Sequence, residues 1–217
     1  MSEIKQVKPG DIDWNDPPFK LSDVDKDVLA TKEEDCKSVS WEELKHIIAN
    51  NKLETLQRRP AETRRYLAWS YGIKQQYDGM TDYIVKEKLH WKPIPGQSDK
   101  GAVYAHKSDV PFAERGDYTV LPNDWPYDFE KGITHVLVWT KTPIETDSDK
   151  GDVTPNSRRL IEEFVSAHFG RALGEGGDER VQWFKNWVSL QSVRSIDHVH
   201  VLVRDPPAEL LDRWLEN

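Results

Sequence analysis

A single cysteine, Cys36, stands in a chain of 217 residues, so no internal disulfide can form and the fold must rest on its packed core. That usage fits a reducing compartment. No apolar run approaches membrane-spanning length, and the polar N-terminus lacks the apolar centre of a signal peptide. The expectation is a soluble cytoplasmic protein without a membrane partner. Neither Gly-x-x-x-x-Gly-Lys-Ser/Thr nor Gly-x-Gly-x-x-Gly occurs, which removes the ready-made seats for ATP phosphates and dinucleotides. No cofactor is expected, and a substrate for bond formation would have to arrive already activated. Positive charge is also short. The net charge of −8 excludes a general basic DNA binder and leaves RNA contact to a local patch.

What is present is unevenly placed. Residues 1–35 carry ten acids against five Lys, while 52–74 carry six bases against Glu54 and Glu62. Nine Trp are many for this length, and each needs either a partner for its indole N–H or a role as a stacking surface. Residues 1–38, with Pro9-Gly10, Pro17-Pro18 and dense Asp, read as an acidic, largely irregular arm. Residues 39–217 read as one domain. Ser40-Trp-Glu-Glu43 matches a capping box ahead of the apolar face Leu44, Ile47 and Ile48. Pro60 suits the start of a helix over 60–77, and Thr81 the cap of another through Leu89. Residues 119–121, 133–139, 181–188 and 198–203 read as strands. Asn156 is placed to cap a helix running to Phe169, Gly170–Gly177 reads as a flexible break, and Pro206-Pro207 opens a closing helix. Helices first, then strands mixed with helices, predict an α+β fold: an antiparallel sheet with flanking helices and a helical N-terminal part.

The chemistry gathers in the last third. His198 and His200 stand two apart in a β-branched run, so a strand aims both imidazoles at one face. They suit acid–base work near neutral pH, or two metal ligands with a third from His135 or Asp124, or hydrogen-bonded core positions. His135, Leu137 and Trp139 share one side of their own strand. Ser192 is a nucleophile only if a histidine reaches it. Asn186, Gln191 and backbone N–H groups can hold a carbonyl oxygen as charge grows on it. The turn Asn123-Asp124-Trp125-Pro126-Tyr127 offers a carboxylate for a cation and an indole to stack on it. Arg58, Arg59, Arg64 and Arg65 straddle a helix start, where cations oppose the dipole unless a partner brings negative charge.

The runs Trp41-Glu-Glu-Leu44, Arg64-Arg-Tyr-Leu-Ala-Trp69, Leu121-Pro-Asn-Asp-Trp-Pro-Tyr127, Gly132-Ile-Thr-His-Val-Leu-Val-Trp139, Trp183-Phe-Lys-Asn-Trp187, Gln191-Ser-Val193 and His198-Val-His-Val-Leu-Val203 together resemble the fungal family named after N-acetylglucosamine-induced protein. That resemblance takes in arginine-containing cyclodipeptide synthases, which join arginine and a second amino acid, both delivered on tRNA, into a diketopiperazine. It implies an ATP-independent aminoacyltransferase whose partners are arginyl-tRNA and a second aminoacyl-tRNA. Its catalytic groups would be His198, His200, Asn186, Gln191, Ser192 and His135, with no metal. Asn123, Asp124, Trp125, Trp139 and Trp183 would hold substrate, and Arg58, Arg59, Arg64 and Arg65 would meet tRNA phosphates. The synthases are associated with Asp-Asp-x-x-Glu, where this chain reads Asn123-Asp124-x-x-Tyr127. A looser likeness, Gln191-Ser-Val193 ahead of His198-Val-His200, is to histidine-triad nucleotide hydrolases, although Leu202 stands at the third histidine position. It implies the alternative of a histidine-triad-like nucleotide- or amino-sugar-binding protein or hydrolase; a separate alternative is a non-catalytic regulator induced by nutrients.

Overall fold

The computed structural model describes residues 6–95, 103–147, 151–187, 190–191 and 193–216. Four antiparallel strands form an open sheet: β1 (Tyr118–Pro122), β2 (Ile133–Thr140), β3 (Val181–Phe184) and β4 (His198–Arg204), in the order β1-β2-β4-β3. The described residues also form six α-helices: α1 (Asp23–Ala30), α2 (Trp41–Ala49), α3 (Pro60–Lys74), α4 (Met80–Tyr83), α5 (Pro155–Val165) and α6 (Ala208–Leu215). The α+β class read from the order of elements is the class observed. No helix among the described residues is long and apolar enough to cross a membrane.

Register decides everything that follows. Trp139 pairs with His198, Leu137 with His200 and His135 with Leu202. Cross-strand partners share a face, so all three histidines lie on one side of the sheet. Phe184 pairs with His200 and joins them, whereas Trp183 pairs with Val201 and points the other way. The opposite face is aliphatic. Val120, Val136, Val138, Val199, Val201 and Val203 pack there against Ile161 and Val165 of α5, Phe169 and Trp214 of α6. The histidine face is covered by N-terminal elements in two clusters. Trp41 and Leu44 of α2 meet Leu53, Leu56, Phe184 and Leu202. Ile73 of α3 meets Met80, Tyr83 and Trp139.

Local chemistry explains most boundaries. Ser40 accepts from Glu43 N and the Glu43 carboxylate accepts from Ser40 N, which fixes the start of α2. The cap of α5 lies two residues before the expected one, because Thr154 supplies the capping oxygen and Pro155 the pre-set φ at the first helical position. The helix expected from a Thr81 cap starts at Met80 instead, after Gly79 at φ 111°, and passes into a π-turn over Ile84–Leu89. β3 stops at Phe184 rather than reaching 188, and the next residue, Lys185, turns inward to pair with Asp197 at 3.0 Å.

Two readings need correction. The stretch Gly170–Gly177 is closed at its ends, where buried Gly170 and Gly177 meet, while Gly174, Glu175 and Gly176 are exposed. A Cβ on Gly177 would fall 2.1 Å from the Gly170 carbonyl oxygen, so the glycine serves close approach, not looseness. The arm is more ordered than its composition suggests. Ser22 and Asp25 cap α1 reciprocally, and α1 packs on α3. Phe19 meets Tyr71 at 5.5 Å and Trp14 at 6.2 Å. Val7 crosses α3 at Gly72, where a Cβ would come within 2.9 Å of its Cγ2. A few apolar side chains thus fasten a chain whose charge alone argued for a solvated tail.

Candidate functional site

The three imidazoles form one buried cluster, each less than 8% exposed. His135 Nε2 and His200 Nδ1 are 2.9 Å apart, a direct hydrogen bond between neutral rings. Asn186 Nδ2 lies 3.3 Å from His200 Nε2 and 3.4 Å from the Tyr127 hydroxyl, to which it donates. With Asn186 donating to Nε2, His200 carries its proton on Nδ1 and gives it to His135. The Asn186 Oδ1 is buried and has no hydrogen-bond partner among the described residues. His198 Nδ1 is 3.1 Å from the Ile196 carbonyl, the geometry of an N–H donor, which leaves the lone pair on Nε2. Trp139 stacks on His198 at 4.3 Å, and Phe184 on His200 at 4.6 Å.

Burial decides the protonation state. It lowers the His135 pKa to about 3, with the Arg58 charge pushing the same way. It lowers His198 to about 4, although the Ile196 carbonyl works against the shift. His200 is driven well below the ordinary imidazole range, by burial first and by its two histidine neighbours next. All three are neutral at pH 7. Among the described residues no three His, Cys, Asp or Glu converge as a metal would require.

Beside this cluster the turn Asn123–Tyr127 lies among surface concavities. Asn123 connects the two regions. Its Nδ2 is 3.3 Å from the His135 ring nitrogens, and its Oδ1 accepts from Trp125 N at 3.0 Å. A small cavity of about 80 Å³ is walled by Trp69, Lys88, Asp124, Trp125 and Trp139. A second of about 170 Å³ lies between Arg58, Arg59, Asp124 and Tyr127. A third of about 420 Å³ opens between the arm, Arg65, Trp69 and Trp125. Asp124 and Trp125 line all three.

The remaining expected residues are placed as follows. Gln191 Nε2 donates to the Asn186 carbonyl at 2.6 Å and so braces the cluster from its own loop. Ser192 lies outside the described residues. Trp183 does not join the histidines: alternation along β3 sends it to the opposite face, where Arg158 sits over its ring at 5.4 Å. Asp124 is not an open carboxylate, since Lys88 Nζ is 2.7 Å away. The four arginines are engaged within the chain. Arg58 donates to the Trp125 carbonyl at 2.7 Å and lies over Tyr66 at 4.4 Å. Arg59 pairs with Asp128 at 2.8 Å and Arg65 with Glu62 at 2.8 Å. Arg64 reaches the Leu29 carbonyl at 3.4 Å. Sequence reasoning missed Tyr127, Phe184 and Lys88. The period of two would have found Phe184 once its register with His200 was known. The pairing of Lys88 with Asp124 joins segments that no spacing rule connects.

The fold and the site define an α+β protein whose sheet carries a neutral histidine–asparagine cluster beneath N-terminal helices. The chain belongs to the family described as protein of unknown function (DUF3605), whose profile matches residues 40–204. It is 33% identical over 185 residues to N-acetylglucosamine-induced protein 1 of Candida albicans, covering 81% of this chain and 72% of that one. It is 31% identical over 184 residues to the uncharacterized protein YPL067C of Saccharomyces cerevisiae, covering 83% and 86%. Among solved structures it is similar to the crystal structure of HTC1, with a TM-score of 0.61 at 31% identity, over 81% of this chain and 95% of that one.

Proposed function

We propose that the protein is an ATP-independent aminoacyltransferase that joins arginine and a second amino acid, each delivered as an ester on tRNA, into a cyclic dipeptide. The observation that carries the reading is the set of imidazoles held neutral in one cluster, with the His198 lone pair fixed on Nε2 by the Ile196 carbonyl. Aminolysis needs an unprotonated base. The amine of one aminoacyl group attacks the ester carbon of the other, the C–N bond forms and the C–O bond breaks. His198 takes the amine proton on Nε2, because the His200 lone pair is engaged by Asn186, and the departing ribose oxygen receives it. The second attack, within the resulting dipeptidyl ester, closes the ring. The Asn186 amide, held at rest by His200 and Tyr127, would turn to the ester carbonyl oxygen as charge grows on it. The missing phosphate loop and the family resemblance support the same reading. Arginine would displace Lys88 from Asp124 and lie against Trp125.

The test is incubation with charged arginyl-tRNA and a second charged tRNA, followed by mass spectrometry. A cyclo-Arg-Xaa product is expected, reduced about 10²–10⁴-fold by His198→Ala. Absence of any cyclic dipeptide across all second amino acids overturns the reading. The depth at which the imidazoles are buried favours a second reading, a non-catalytic regulatory protein induced by nutrients. That reading expects no loss of cellular function in a folded variant with His198 and His200 replaced.

A further inference from the structure

The 420 Å³ cavity lies outside the histidine cluster and is built from two parts of the chain. Gln6, Val7, Lys8 and Pro9 of the arm form one wall, and Arg65, Trp69, Lys88, Asp124 and Trp125 form the rest. Its size lies within the range of small-molecule sites. The arm is seated there by the body, since Gly72 leaves room for Val7 where any Cβ would crowd it. Trp69 and Trp125 meet at 5.1 Å with their rings inclined by 41° and make an angled aromatic shelf. The Trp125 indole N–H is buried without a hydrogen-bond partner among the described residues, a donor for which an acceptor is wanted. The charge here runs against the rest of the molecule. This cavity and its neighbour are lined by five bases (Lys8, Arg58, Arg59, Arg65 and Lys88) against three acids (Glu62, Asp124 and Asp128), in a chain of net charge −8. Arg59, Arg65 and Lys88 pair with Asp128, Glu62 and Asp124, which leaves an excess of two positive charges.

An aromatic shelf, an unsatisfied donor and local positive charge together select a ligand that is flat, carries acceptors and is anionic. We propose that this cavity binds a nucleoside monophosphate, its base on the Trp69–Trp125 shelf, an acceptor on the Trp125 N–H and its phosphate between Lys8 and Arg65. The nucleotide is either free or the 3′-terminal residue of an RNA. The site stands independently of the aminoacyl reading. If both hold, this is where the nucleotide bearing the ester rests.

Isothermal titration calorimetry of the full chain with AMP, and separately with the trinucleotide CCA, tests it. Saturable binding with Kd below about 1 mM is expected for at least one of them. Tighter binding of the trinucleotide assigns the RNA end, and equal binding assigns the free nucleotide. Lys8→Ala/Arg65→Ala, which changes exposed side chains only, should weaken binding about tenfold and flatten its salt dependence. Trp125→Phe should weaken it by a similar factor while keeping the stacking surface, with circular dichroism confirming the fold. No saturable heat with either probe overturns the site, as does binding that the double variant leaves unchanged. Cyclic dipeptide formation without nucleotide binding removes this site alone. Nucleotide binding without product removes the synthase reading alone.

Discussion

The two faces of the sheet are made by alternate residues of the same strands and differ in almost every physical respect. One is a continuous aliphatic wall closed by α5, Phe169 and Trp214. The other carries three imidazoles, bonded to one another and to Asn186. Val136 and His135, or Val199 and His198, are neighbours in sequence and opposites in environment. The dry face needs no exact partnering, only volume. The polar face is stable only while each donor meets its acceptor, because an unmade bond there costs as much as a lost contact on the other side. The aliphatic face supplies the stability that lets the other hold buried polar groups.

The largest expected effect lies on the aliphatic side. Phe169→Ala should cost about 3–5 kcal/mol in urea unfolding, through a cavity the packed wall cannot close. If the cost were below 1 kcal/mol, on the order of a surface change, the faces would not differ in kind. Acid should act mainly on the polar side. The unfolded histidines titrate near 6.5, whereas folded His198 titrates at about 4 and His135 at about 3. Between those values the unfolded chain binds more protons than the folded one, so stability falls as pH drops from 6.5 towards 4. The loss should be on the order of 2–3 kcal/mol for each of the two, read as a falling urea midpoint. His168, lowered to about 4 by burial on the aliphatic side, contributes to the same slope. A third variant separates the two sources. His200→Leu leaves His135 and Asn186 without their shared partner and should cost about 1–3 kcal/mol at pH 7, while flattening the acid slope. A slope unchanged in that variant would leave the pH sensitivity with His135, His198 and His168. Smallest of all, Ser40→Ala should cost about 1 kcal/mol, by removing the cap that starts α2 over the polar face.

Much of this contrast was legible in the sequence wherever a short-range rule governs. The reciprocal cap at Ser40 and Glu43, the strand over Ile133–Thr140 and the shared direction of His198 and His200 all follow from neighbours within four residues. The meeting of His135 with His200 depended on register, which the chain does not print. The helix Asp23–Ala30 was hidden because its acidic composition resembles a tail, although Ser22 and Asp25 carried the capping signal. The inward turn of Lys185 and the capture of Asp124 by Lys88 are pairings between distant segments, and charge alone does not choose among 38 acids and 30 bases.

The brevity of β3 has a consequence for how the protein behaves in a crowd. Its outer rim is four residues long and bounded by the inward-turned Lys185, with α2 on one side and the charged side chains of Arg158 and Glu162 on the other. Such a rim is a poor template for a strand of another molecule, so concentrated solutions should resist fibril growth along this border. A lysine withdrawn into an ion pair thus also guards the sheet against unwanted company.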